Sequence, residues 1–288
     1  MFLRAAQHKS WENTHTVQQY SIYNDPNIAH RDQMEDAYFY EESDNGECVF
    51  GVLDGHNGQT VVEYVTKSLP ALIFANLKKM DSKGLVEEAL KSAFLEMDEK
   101  ISNEMTAKAQ ETGSTCTICL VRIENGQKVI YTANIGDTCA FLYEQNTANP
   151  ATELTITHRA ANNEEKERVK ATGAFISMDR IDGKLEVFRA FGDLKLKKKG
   201  VIAEPSVSRV VLNTSNESPV YNIVLACDGL WDFAKMNDID AVVKKNFNHA
   251  GNVAMELRNL AKSSRSRDNI TVMTVQIDAS ILESNILG

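Results

Sequence analysis

The chain has 288 residues, 43% hydrophobic and 25% charged, with a formal net charge of −9. That length supports a full core, the composition is that of a globular protein, and the acidic balance argues against a general binder of nucleic acid or anionic membrane. No apolar run approaches the ~20 residues that span a bilayer.

The opening stretch, MFLRAAQHKSWENT, has no sustained apolar segment, and Phe2 stands where myristoylation needs glycine. No prenylation box ends the chain. A soluble, monomeric protein of the cytoplasm or nucleus is therefore expected. With no repeat, low-complexity tract or linker, it should form one domain over 1–288.

Taken in order, apolar and β-branched runs predict strands at 17–23, 36–41, 47–53, 115–123, 127–134, 138–143, 184–188, 207–212, 220–227 and 269–277. Helical spacing appears at 58–78, where Val61, Val62, Val65, Leu69, Leu72 and Ile73 share a side and Pro70 is expected to bend or split the helix. Further helices fit 83–109, 163–171, 237–247 and 251–263. Short strands joined by hairpins, with helices in blocks, indicate antiparallel sheets covered by helices rather than a βαβ alternation.

Turn chemistry places two hairpins. A three-residue loop at Asp44-Asn45-Gly46, with Gly46 left-handed, would pair Ser43 with Glu47 and bring Asp36 opposite Asp54. A two-residue turn would put these acids on opposite faces. The second hairpin turns at Asn125-Gly126 and returns the Thr115 strand beside the one ending at Asp137. Cys116 and Cys119 spell C-x-x-C, but within a strand they face opposite ways and cannot share a metal; two core thiols are expected.

Four acids then fall at strand ends. Asp36 and Asp268 start strands, and Asp54 and Asp228 end apolar ones, so all four can gather at one sheet edge. Two carboxylates about 4 Å apart repel by roughly 4 kcal/mol at an effective dielectric near 20, so shared protons or cations must neutralise them. All-oxygen ligands suit Mg²⁺ or Mn²⁺, and Ca²⁺ less specifically. Gly55 and Gly229, each following an acid, are expected to let the chain turn sharply; Gly55 also leaves its carbonyl open to an ion.

RDQMED (31–36), DGHNG (54–58), TGST (112–115), NIGDT (134–138), EKERV (165–169), FRAFGD (188–193), ACDGLWD (226–232) and SRDNIT (266–271) follow one another in the order seen in metal-dependent Ser/Thr protein phosphatases of the 2C type. The chain resembles that family from about Tyr20 to Ile277. The resemblance implies an α+β fold: a four-layer α-β-β-α sandwich of two antiparallel β-sheets flanked by helices, with metals in a cleft at one edge.

It also implies roles. Asp54 would bridge two Mg²⁺ or Mn²⁺ ions, with the Gly55 carbonyl on one. Asp228 and Asp268 would hold one ion, while Asp36 and Glu35 act chiefly through bound waters. Asp137 and Asp232, with Asp228 and beside Thr115, match a further, weaker third metal site; an ordinary helix-surface role rivals this for Asp232. Arg31 would bind the phosphate of a phosphorylated protein substrate. His56 would protonate the leaving oxygen, with a plain hydrogen-bonding role as the rival.

Hydroxide shared by two cations would attack phosphorus in line with the departing Ser or Thr oxygen. Asp193 and Arg189 are expected to fix the fold, each able to join an internal ion pair. Asn162 to Ile181 matches the mobile flap beside the cleft. Lys195, Lys197, Lys198 and Lys199 read as a solvated basic loop.

The alternatives are a catalytically silent phosphatase-like binding protein, a two-metal nuclease and a structural Ca²⁺ domain. The complete acid set disfavours the first. The acidic charge and lack of aromatic-basic stripes disfavour the second. Arg31 and His56, idle in a Ca²⁺ domain, disfavour the third.

Overall fold

A computed structural model describes residues 7–12, 16–80, 85–147, 149–213 and 219–280. In chain order it holds β1 (Gln7–Glu12), β2 (Gln19–Asp25), β3 (Asp36–Glu42), β4 (Cys48–His56), α1 (Thr60–Met80) and α2 (Val86–Glu104). Next come β5 (Gly113–Ser114), β6 (Cys116–Glu124), β7 (Gln127–Ile135), β8 (Cys139–Glu144), β9 (Thr152–Glu153), α3 (Asn163–Ala171), β10 (Ile176–Ser177), β11 (Arg180–Ile181) and β12 (Phe191–Gly192). After a 3-10 helix at Leu194–Lys199 follow β13 (Ser206–Val211), β14 (Val220–Ala226), α4 (Asp228–Trp231), α5 (Met236–Lys245), α6 (Ala250–Ser263) and β15 (Ile270–Asp278).

Two sheets stack face to face. One has the order β1-β2-β15-β14-β8-β9. The other is built on β4, which pairs with β3 and β6, continues through β7 to β13, and is extended at one end by β5 and β12. Every ladder is antiparallel, as hairpin connections allow. Alternation along each strand makes three cores. Phe50, Val52, Cys119, Ile223 and Val275 fill the space between the sheets. Val49, Leu53, Ile118 and Ala133 face α1 and α2. Val224, Ala226 and Val272 face α4, α5 and α6. This is the four-layer α-β-β-α sandwich.

Cys116 and Cys119 lie in different cores, on opposite faces of β6, and both are free thiols. Burial pushes both thiols up, Cys119 to about 12, as suits packing residues and not thiolates. α1 runs unbroken through Pro70, which is buried with Leu69 and Ile73 on the apolar side. Burying side chains of that size contributes about 1.5–3 kcal/mol each and outweighs one missing helix hydrogen bond. α2 ends at Glu104, short of the expected 109, and residues 83–84 of the prediction lie outside the described residues.

No strand forms at 184–188. Only isolated bridges, Ile181 to Leu185 and Arg159 to Val187, hold that stretch. Its apolar side chains instead fill a small separate core, where Leu185, Val187 and Phe188 pack with Val169 of α3 and Val201. The stretch 162–181 thus holds α3 and the β10–β11 hairpin, packed on a core of their own. Asn162 caps α3, its side chain accepting from Glu164 N and Glu165 N at 3.0 and 3.3 Å.

The lysines after Asp193 lie on the 3-10 helix and not in a free loop. Lys195, Lys197 and Lys199 pair with Glu111, Asp98 and Asp182, so little bare positive charge remains there. Among the described residues no helix is long and apolar enough to cross a membrane.

Candidate active site

The β3–β4 register puts Asp36 directly opposite Asp54. The three-residue loop causes it: Ser43 N donates to Glu47 O at 2.8 Å, and Gly46 turns at φ 76°. β4 does not stop at Asp54. It runs to His56 because β5 supplies partners, Gly55 opposite Ser114 and His56 opposite Gly113. From the other sheet, Thr271 of β15 donates its hydroxyl to Asp36 Oδ2 at 2.8 Å, pinning the two sheets together.

At this edge carboxylate oxygens of Asp54, Asp137 and Asp228 lie within 4.8 Å of one another. Asp54, Asp137, Asp228 and Asp268 line one cleft of about 270 Å³ with Arg31, Glu35, Gly55, His56 and Thr115. Asp36 is buried beneath it, and Asp232, half-exposed at the end of α4, stands at the rim. Glu35 precedes β3, and its Oε1 accepts from Gly58 N at 2.5 Å.

The cluster is under electrostatic stress. Burial, then repulsion from Asp228 and Asp36, pushes the Asp54 carboxyl well above the usual range. Burial, then Asp137 and Asp268, does the same to Asp228. Burial lifts Asp36 to about 7 against the Thr271 hydrogen bond. Asp228 Oδ1 is buried with no partner, a free lone pair in the middle of an all-oxygen donor set. Such a set fits a hard divalent cation.

Gly55 and Gly229 are needed for close approach rather than for turning, since neither has positive φ. A Cβ at Gly55 would stand 2.6 Å from Glu35 O, and one at Gly229 2.0 Å from Asn269 O. Asn57 and Gly58 make the turn after β4, at φ 56° and 125°.

His56 Nε2 lies 2.7 Å from Asp193 Oδ2. Burial works against charge on the ring, but the hydrogen bond and the charge of Asp193 outweigh it and hold His56 above its usual pKa. Asp193 is not paired with Arg189, whose guanidinium grips buried Glu165 at 2.7 and 3.0 Å. Arg168 joins that grip, and the two arginines hold the Glu165 carboxyl down at about 2 against its burial. Sequence reading missed the Asp193 role because 137 residues separate it from His56. Gly113 leaves room for the pair: a Cβ there would stand 2.1 Å from Asp193 Oδ2 and 2.5 Å from His56 Nε2.

Two further residues escaped the sequence reading. Asn269 ties the 26–35 loop to the cleft, accepting from Glu35 N at 2.8 Å and donating to Pro26 O and Gln33 O. Arg159 enters the acid cluster itself: Nε donates to Asp137 at 2.5 Å, Nη2 to Asp228 at 2.7 Å, and Nη1 to both Asp232 oxygens at 3.0 and 2.8 Å. Arg31, 43% exposed in its side chain, donates to Asp268 Oδ2 and to Arg267 O.

The family model for protein phosphatase 2C matches residues 25–270. Protein phosphatase 2C homolog 2 of Schizosaccharomyces pombe is 33% identical over 68% of this chain, which spans 52% of that protein. Protein phosphatase 1L of Bos taurus is 30% identical over 95% of this chain and 76% of its own length. In fold, the chain matches the crystal structure of serine-threonine phosphatase 2C from Toxoplasma gondii, with a TM-score of 0.74 and 20% identity, covering 93% of this chain and 99% of that one.

Proposed function

Because the chain belongs to the protein phosphatase 2C family of metal-dependent protein serine/threonine phosphatases, we propose that it hydrolyses phosphoserine and phosphothreonine in proteins. The observation that carries this is the meeting, in one cleft, of a carboxylate cluster, an exposed arginine and a histidine held by an acid. In this reading Asp54, Asp228, Asp268 and the Gly55 carbonyl would hold two divalent ions, Mg²⁺ or Mn²⁺, with Asp36 and Glu35 acting chiefly through bound waters. When bound, such ions neutralise the carboxylates and lower the pKa of a shared water enough to supply hydroxide near neutral pH.

The chain's own groups do the rest. The Arg31 guanidinium offers a planar fork to two phosphoryl oxygens once it leaves Asp268. His56, whose acid form Asp193 favours, delivers a proton to the departing Ser or Thr oxygen. Leu185, Glu186 and Val187 line the cleft from the flap side and limit which peptide enters. In this reading the chain is a single unit over 1–288 that acts as a monomer on phosphoproteins, and its net charge of −9 disfavours nucleic acid as a substrate. A silent binding protein fits less well, because nothing in mere binding calls for an acid-held histidine.

The direct test is phosphate release from a phosphothreonine peptide with Mn²⁺ or Mg²⁺. EDTA should abolish it, and Asp228→Asn should abolish it while the circular dichroism spectrum stays native. EDTA-resistant turnover, or full turnover by the variant, would refute the reading.

A further inference from the structure

Arg159 is not a wandering surface side chain. Its side chain is 17% exposed, and its Nε, Nη2 and Nη1 donate to different carboxylates, of Asp137, Asp228 and Asp232, with Glu186 3.8 Å from Nε. Its backbone is fixed as firmly. The neighbouring His158 N donates to Gly136 O at 2.8 Å, and His158 O accepts from Phe188 N at 2.7 Å. The buried His158 ring bridges Gly136 N and Ser206 Oγ. Asn162 N caps Arg159 O at 2.9 Å, and Arg159 bridges to Val187 at the base of the flap.

Asp228 divides its oxygens: Oδ2 takes the guanidinium, while Oδ1 is buried and unpartnered. One side of this carboxylate therefore faces a cation the chain supplies, and the other lacks one. Both Asp232 oxygens and Asp137 Oδ2 accept from the arginine.

We propose that Arg159 is a resident cation of the acidic centre, so that Asp137 and Asp232 hold a guanidinium where a third divalent ion would sit and the chain binds two ions, not three. This departs from the expected third site, and it rests on the metal-dependent reading of the cleft. Guanidinium is always charged and matches carboxylates in bidentate geometry, so it neutralises this corner at any metal concentration. A third ion would have to expel a charged, half-buried side chain fixed at both backbone ends.

The test counts ions: Mn²⁺ titrated calorimetrically, with bound metal measured by elemental analysis after equilibrium dialysis. Wild type should hold two ions. Arg159→Met should gain a third, bound about tenfold or more tighter than any residual third binding by wild type. Arg159→Lys, which keeps the charge, should stay at two, and Asp232→Asn should leave both ions and their affinities unchanged.

Three ions in wild type, two in a natively folded Arg159→Met, or loss of an ion from Asp232→Asn would each overturn the proposal. If Arg159→Met does not fold, the wild-type count and the Asp232→Asn result decide. No bound ion in any protein refutes this inference together with the metal reading. Two ions without phosphatase activity refute only the phosphatase reading.

Discussion

At the scale of single residues, the His56–Asp193 pair makes the sharpest demands. Because Asp193 holds the ring above its ordinary pKa of 6.5, the acid form persists to higher pH. The pair's contribution to stability is present below 6.5 and is lost as pH rises through the raised value. Asp193→Asn should therefore move the alkaline limb of the rate profile to lower pH while leaving peptide KM unchanged; an unmoved limb would show that Asp193 only packs. His56→Gln should cut kcat on a phosphothreonine peptide about 100-fold. It should cost far less on an aryl phosphate, whose leaving group needs no proton, and equal losses on both substrates would argue against proton donation. Neither partner's local sequence announces the other, so only Asp54-Gly55-His56 was legible as a site and Asp193 was not.

Elements aim these residues, and the aiming device is a loop of three residues. Deleting Asn45 shortens it to two and slips β3 against β4 by one position. Asp36 then faces away from Asp54, and the expected result is loss of Mn²⁺ binding with a lower urea midpoint. Retained binding would mean that the loop does not set the register. By contrast, Leu69→Ala on the buried face of α1 should cost about 2–5 kcal/mol in urea unfolding yet leave Mn²⁺ affinity intact, since α1 covers the sheet and holds no ligand.

The long strands and helices were readable because period-2 and period-3.6 patterns persist over many residues. The two-residue strands β5 and β12 were not, since two residues carry no period. The stretch 184–188 was misread for a related reason: its apolar residues fill a local core without joining a sheet, and sequence shows apolarity but not its destination.

For the whole molecule, the concentration of acids at one edge couples folding to pH and metal. A carboxyl raised from 3.8 to about 7, as at Asp36, binds more protons folded than unfolded. Stability of the metal-free protein should therefore fall as pH rises across that window, with Asp54 and Asp228 adding to the fall. Divalent ions compete with those protons. Mg²⁺ should raise Tm by scanning calorimetry more at pH 8 than at pH 5, and EDTA should reverse the gain; a shift independent of pH would mean the ions bind elsewhere.

By itself the sequence determined that antiparallel sheets are covered by helices, where the two hairpins turn and which acids can meet at one sheet edge, because these follow from local turns and from which face of a strand is apolar. Only the tertiary structure decided what those acids meet. That Arg159 reaches Asp232 across 73 positions, and that Asp193 turns to His56 while Arg189 turns to Glu165, depends on loops folded over a rim. A side chain's partner there is set by where the chain returns in space, and nothing in its neighbours along the chain encodes that return.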